Sequence, residues 1–241
     1  MNKFSIQNLS QSALYALTAS ATIVSLVFMG FFFAEPSITH GQAGPGPFEF
    51  TIQQTITGEA SFLVAPSDVT TSGAINGLTG GNASGTTDFS VISNNATGYI
   101  VRISFFDNGT DNAMLGDVTA SDALRDYVAS TTEPGFGYTA STAAQFAYTV
   151  SSDTVSDTDD SFLNSGGLCN QAAGSGNGTA KAAKCWMSPT VAAFDIVNRD
   201  VPAPGGATST IEFDITVPSS AVPVPSAETY TATATLTLLT Q

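Results

Sequence analysis

From residue 48 to residue 64 the chain alternates between apolar and polar side chains. Phe48, Phe50, Ile52, Ile56, Ala60, Phe62 and Val64 occupy even positions, with Gln54 and Gly58 between them. Glu49, Thr51, Gln53, Thr55, Thr57, Glu59 and Ser61 occupy the odd ones. Successive side chains of a strand point to opposite faces, so a period of two predicts a strand with one face to bury. A strand over residues 48–64 would reach roughly 55 Å at ~3.3 Å per residue, whereas strands in globular domains usually end within about ten residues. The run is therefore expected either to bend at Gly58 and switch sheets, or to extend as an arm beyond its own domain.

The same reading predicts strands over residues 88–93, 98–106, 137–142, 145–151, 191–198, 209–217 and 229–240. In the last, Tyr230, Ala232, Ala234, Leu236 and Leu238 share one face, and Thr231, Thr233, Thr235 and Thr237 share the other. β-Branched threonine suits a pleated strand better than a helix. Turn signals separate the runs, among them Asn76-Gly77, Gly80-Gly81, Asn108-Gly109, Pro134-Gly135 and Gly205-Gly206. Two short helices are expected. Ser121 would cap one that buries Leu124, Tyr127 and Val128. Asp157 with Asp160 would cap another through Leu163, ending at Gly166. The fold class expected is all-β: an antiparallel β-sandwich, Greek-key and Ig-like or pilin-like, with one or two short helices behind an N-terminal signal or anchor helix.

Residues 12–34 carry no charge, Lys3 precedes them, and Gly41-Gln42-Ala43 follows with small side chains. A positive start, an apolar core and a small-residue exit mark a secretory signal cut after Ala43. The apolar run is also long enough to span a bilayer core of ~30 Å as an uncleaved anchor. Gly30-Phe31 followed by Glu35 imitates a type IV pilin processing site, but there the apolar helix follows the cut, and here it precedes the glycine. The organisation expected is residues 1–43 as signal or anchor, 44–57 as linker and extended N-terminal strand, and 58–241 as the β-sandwich.

The chain of 241 residues has a net charge of -14 with only 11% charged residues, while 42% are hydrophobic. That apolar fraction supplies a core, so the low charge does not signal disorder. Lys3, Arg102, Arg125, Lys181, Lys184 and Arg199 are scattered, which argues against nucleic acid as a partner. The single histidine, His40, would leave with the signal. General acid–base catalysis most often uses histidine, and no spacing selects a carboxylate pair or a serine–lysine pair, so no enzymatic activity is expected and no catalytic residue is assigned.

Cys169 and Cys185 are the only cysteines, and in an exported chain they are expected to close a disulfide over a Gly/Ala-rich loop. Trp186 beside them is expected in the core. No cofactor is expected. Acidic turns at Asp107 and Asp111, and at Asp157, Asp159 and Asp160, hold the oxygen chemistry Ca²⁺ takes, but neither matches the twelve-residue calcium loop; self-bonded, solvated turns are the competing reading.

Three groups of segments carry a resemblance: Asn76-Gly77-Leu78-Thr79-Gly80-Gly81 with Asn94-Asn95-Ala96-Thr97-Gly98-Tyr99; Phe136-Gly137-Tyr138-Thr139 ahead of Cys169 and Cys185-Trp186; and Glu228-Thr229-Tyr230-Thr231-Ala232-Thr233. Together they resemble exported β-sandwich surface proteins of ultra-small candidate-phylum (Patescibacteria-type) bacteria. The resemblance implies an extracellular or cell-surface protein and transfers no active site. More loosely, the chain is similar to pilin and coat subunits assembled by donor strands, in which Phe48, Phe50, Ile52 and Ile56 would be the donor residues. Two functions follow as expectations: a filament or coat subunit that self-associates by strand exchange, or a monomeric adhesin or glycan-binding module contacting a host or cell-surface glycan or protein. Membrane contact is expected only through residues 12–34 if they stay uncleaved. Mass spectrometry of the exported protein should find Gly44 as the mature N-terminus; an intact residue 1 would instead establish the anchor.

Overall fold

The computed structural model describes residues 15–16, 18–23, 25, 51–106, 112–119, 121–129 and 133–241. Residues 1–54 and residues 55–241 form separate units. In the first, residues 15, 16, 18–23 and 25 are helical. Hydroxyls there turn back onto the backbone, with Ser20 Oγ donating to the Ala16 carbonyl at 2.8 Å and Thr22 Oγ1 to that of Thr18 at 2.7 Å. No helix among the described residues is long and apolar enough to cross a membrane. The remainder of the expected signal segment lies outside the described residues.

The second unit is mostly β. Its strands are β1 (Ala60–Val64), β2 (Gly81–Ser93), β3 (Tyr99–Phe105), β4 (Met114–Gly116), β5 (Ala123–Asp126), β6 (Gly135–Phe136), β7 (Gln145–Ser152), β8 (Cys185–Trp186), β9 (Phe194–Arg199), β10 (Ala203–Val217), β11 (Tyr230–Ala232) and β12 (Ala234–Thr240). Seven form one sheet in the order β1-β2-β10-β7-β5-β4-β11; β12-β3-β9 form a second sheet, and β6-β8 a small ribbon. All named pairs are antiparallel except β5 with β7, which run parallel. The large sheet is thus mixed where the sequence predicted antiparallel pairing throughout.

The register of β10 decides which side chains go inside. Ile211 lies opposite Thr87 and Val150, Phe213 opposite Gly85 and Tyr148, and Ile215 opposite Ala83 and Phe146. Directly opposed residues share a face, so this row forms one wall of the core. Tyr99, Val101, Ile103 and Phe105 of β3 alternate with half-buried residues and join the same buried cluster. Across it, the Phe105 ring sits 5.2 Å from that of Tyr148 and 6.1 Å from that of Phe146.

The opposite face of the large sheet is also covered. Tyr127, Tyr138, Ala147 and Trp186 form a second buried cluster, with Trp186 fully buried and its indole N–H donating to the Lys181 carbonyl at 2.9 Å. Lys181 reaches Asp214, and Lys184 reaches Glu212, on the outward-facing positions of β10. Asn177 binds the Val150 carbonyl at 2.9 Å and accepts from the Cys185 N–H at 2.8 Å. The loop that delivers these groups is closed by the Cys169–Cys185 disulfide, which points to an oxidising, extracytoplasmic setting.

Several elements depart from the sequence-based expectation. Residues 121–128 form no helix: Ala123–Asp126 is strand β5, and Val128 is exposed. Its partner β4 is held by the turn between them, where the Glu228 carboxylate accepts from the N–H groups of Val118 and Thr119; three apolar residues were too few to tell the two periods apart. The Asp157–Leu163 segment makes two 3₁₀ turns, Val155–Asp157 and Asp160–Phe162, and Asp159 caps the second by accepting from Ser161 N. Residues 137–142 are not a strand; Gly135–Phe136 is. The 229–240 strand breaks at Thr233, sending β11 to the large sheet and β12 to the small one. Finally, the alternating run pairs only over Ala60–Val64. Residues 48–50 lie outside the described residues, and residues 51–59 belong to no strand.

Replacing both cysteines, Cys169→Ala with Cys185→Ala, should cost about 3 kcal/mol by the chain-entropy argument for a loop of this length and lower Tm by roughly 6–12 °C. Urea denaturation of the variant against the parent checks this; an unchanged midpoint would mean that the noncovalent contacts hold the loop without the bond.

Candidate assembly interface

Ile52 and Ile56 are each 82% exposed. They sit in the stretch that leads into β1 without pairing as a strand. The stretch is tethered where it meets the body. Glu59 N–H donates to Asn94 Oδ1 at 2.6 Å, and the Asn94 side chain donates to the Thr57 carbonyl at 3.3 Å. Ser93 Oγ donates to the Glu59 carbonyl at 3.0 Å. This anchor is the β2–β3 turn, which also receives the last residue: Asn95 Nδ2 and Thr97 Oγ1 each donate to the Gln241 carbonyl at 2.7 Å. Gly98 permits the tight turn, since its φ is +79° and a Cβ there would stand 1.8 Å from the Arg199 carbonyl oxygen. Residues 57–59, which lead into β1, and the end of β12 therefore lie at the same pole of the β-rich body.

β12 is an edge. It pairs with β3 from Ala234↔Phe105 to Thr240↔Tyr99 without a register shift, and it ends its sheet. Only Leu236 and Leu238 of its seven residues are partly buried. Both pack on the core cluster from its margin.

Toward the Ala234 end of β12, at the far pole, a cleft of about 470 Å³ opens between the two sheets. Ile103, Phe105, Phe146, Ile211, Phe213 and Leu236 line it, and residues 66–71 cross it. Ser67 and Thr87 hold this strap: Ser67 N–H donates to Thr87 Oγ1 at 2.9 Å, and Thr87 Oγ1 donates to the Ser67 carbonyl at 3.0 Å. The strap lies close because Gly85 has no side chain; a Cβ there would stand 2.5 Å from Val69 Cγ1. The walls contributed by the two sheets are apolar, whereas Ser67, Asp68, Thr70 and Thr71 of the strap are polar; the apolar part of the rim favours removal from water.

A second cleft of about 520 Å³ has Asn112, Arg125, Asp126, Glu133, Ser188 and Thr190 among its lining residues, beside Phe105, Tyr127 and Val128. Asp126 Oδ1 accepts from the Ala113 N–H at 3.0 Å, and burial pushes the Glu133 carboxyl up from the ordinary carboxylate range.

Of the acidic turn residues, Asp107 and Asp111 lie outside the described residues. Asp157 is ion-paired with Arg199. Asp159 is taken up in capping, accepting from Ser161 N and Oγ. Asp160 opens the second 3₁₀ turn. Among the described residues, no group of three or more His, Cys, Asp or Glu is placed to hold a metal ion. Phe48 and Phe50 lie outside the described residues, leaving Ile52 and Ile56 to represent the donor candidates. The alternating pattern predicted β12 and its apolar face, but nothing in it marked β12 as an edge or placed a cleft beside it. No protein-family model matches the chain, and no curated protein matches it either.

Burial raises the carboxyls of Asp214 and Asp157, against the opposing pull of Lys181 and Arg199 respectively, and it raises that of Glu133. A carboxyl raised in the folded state holds its proton more tightly there than in the unfolded chain. Its contribution to stability is fully present at low pH and is lost as pH rises through the folded value. Asp122 is lowered, chiefly by its hydrogen bond with the Ser226 side chain, so its contribution is lost only as pH falls below the ordinary carboxylate range. Acidifying from neutral pH toward the ordinary carboxylate range should therefore raise Tm. Calorimetry across that window checks it, and a steady fall would contradict the assignment.

Proposed function

We propose that this chain is an exported structural subunit of the cell surface that self-assembles into a filament or coat by lending its N-terminal stretch to a neighbouring copy. The observation that carries the reading is the exposure of Ile52 and Ile56 at alternating positions outside any strand. Fully burying an isoleucine is worth about 1.5–3 kcal/mol, and an exposed, sequence-alternating segment recovers it by adding to the sheet of another molecule. A head-to-tail contact of that kind does not close on itself, so it propagates. The finer fold that suits this reading is a pilin-like or Ig-like β-sandwich, supported by the single core shared between β3 and the β2–β10–β7 wall. The disulfide supports a location outside the cytoplasm, and the secretory pattern of residues 1–43 supports export. Such a subunit needs no catalytic centre and no cofactor; calcium at Asp157–Asp160 is not required for it.

The rival reading is a monomeric adhesin that binds a surface glycan or protein, and the cleft that holds Arg125 and Glu133 beside Tyr127 is the feature that favours it. Electron microscopy and sedimentation of the mature protein separate the two. The full mature chain should form linear assemblies, and a variant lacking residues 44–57 should sediment as a folded monomer with Tm within about 2 °C of the parent, the range of a surface change. A full chain that stays a monodisperse monomer at high concentration would overturn the assembly reading.

A further inference from the structure

We propose that the receiving site for this stretch is the open edge of β12 in a second copy, with the cleft at its Ala234 end taking the apolar side chains. The inference rests on the assembly reading above and names its acceptor.

An open strand edge offers unpaired backbone groups, and native proteins protect such edges with charge, proline or bulges. β12 reads ATLTLLT, with no charged residue and no proline, and its ladder to β3 has no bulge. The other edges among the described residues are shorter, broken or occupied. β1 shifts register between Phe62 and Val64. β11 has three residues. β9 is bridged on its outer side by Thr158 to Val197, with Asp159 N–H donating to the Ile196 carbonyl. β12 has β1 near part of its length but carries no hydrogen-bonded strand on its free side, has seven residues in register with β3, and leaves Leu236 and Leu238 partly open on its inward face.

Polarity selects the same partner. The stretch leaves the body at the pole of Asn94 and Gln241, and the cleft lies toward the opposite pole, by Ala234. Copies stacked head to tail bring the departing stretch of one against the cleft pole of the next. β12 runs from the cleft pole toward the departing pole, so the incoming stretch, whose C-terminal end stays with its own body, meets it antiparallel. That is the pairing with the better-aligned hydrogen bonds. The alternation of the stretch then turns Ile52 and Ile56 to one face, toward the half-open Leu236 and the apolar cleft wall, and leaves Thr51, Gln53, Thr55 and Thr57 facing out.

Two variants of the full mature chain test this. In the first, Thr235→Lys with Thr237→Lys puts charge on exposed positions of the edge without touching the core. It should reduce the assembled fraction by about tenfold or more while circular dichroism and Tm remain those of the parent. In the second, a short bis-maleimide is applied to a mixture of Gln53→Cys and Thr237→Cys proteins, both on the outward face, and it should join the two chains in the assembled fraction only. Undiminished assembly of the lysine variant, or linkage of Gln53→Cys to a cysteine placed on β1 instead of β12, would overturn the β12 site while leaving assembly through the N-terminal stretch standing. Failure of the unmodified chain to assemble would remove the reading itself, and this acceptor with it.

Discussion

The ladder that sets β10 between β2 and β7 carries the rest of the molecule. Each residue of Ile211–Ile215 is locked opposite a partner on both sides, and a slip of one position would turn the whole apolar row toward solvent. With that register in place, Phe146, Tyr148, Phe213 and Ile215 form a wall against which β3 packs Ile103 and Phe105. The aromatic contacts across the gap are edge-on or tilted, the arrangements that ring quadrupoles favour.

The same ladder dictates the chemistry of the outer face. Since 211, 213 and 215 point inward, Glu212, Asp214 and Thr216 must point outward, onto a face that is itself covered. Asp214 is 2% exposed. A buried carboxylate is tolerable only when paired and hydrogen-bonded, and Lys181 supplies the pair with Thr216 beside it. The lysine is held in turn by the Tyr138 ring, 3.9 Å away. A loop rich in glycine and alanine cannot keep such groups in place by packing alone. The disulfide shortens the chain that has to be ordered, and Asn177 bonds to both β7 and Cys185.

Where the ladder ends, the molecule is open. β12 is hydrogen-bonded on one side only, with β1 close by, and a strap clamped through Ser67 and Thr87 leaves a cleft lined by side chains from both sheets. In the assembly proposed above, the exposed Ile52 and Ile56 of a neighbouring copy would supply the complementary surface. Donor and acceptor cannot satisfy each other within one copy if they lie at opposite ends, and that separation favours a chain of copies over a closed pair.

Alternation along the chain was enough to predict most strands, because one buried face imposes a period of two whatever the partner is. Residues 98–106, 145–151 and 209–217 come out as β3, β7 and the second half of β10 for that reason. The cysteine pair was equally legible, since an exported chain with two cysteines has one intramolecular disulfide to make. The break at Thr233 was not legible, nor the strand in place of a helix at Ala123–Asp126, nor the end of pairing at Ala60. Each depends on which neighbour stands alongside: β4 and Glu228 for the first turn, β3 for β12, the β2–β3 turn for Glu59. A residue's preference for a pleated backbone is local and is carried by the side chain. Whether a strand is central or an edge, and whether its apolar face is covered, is decided by distant segments that only the tertiary structure brings together.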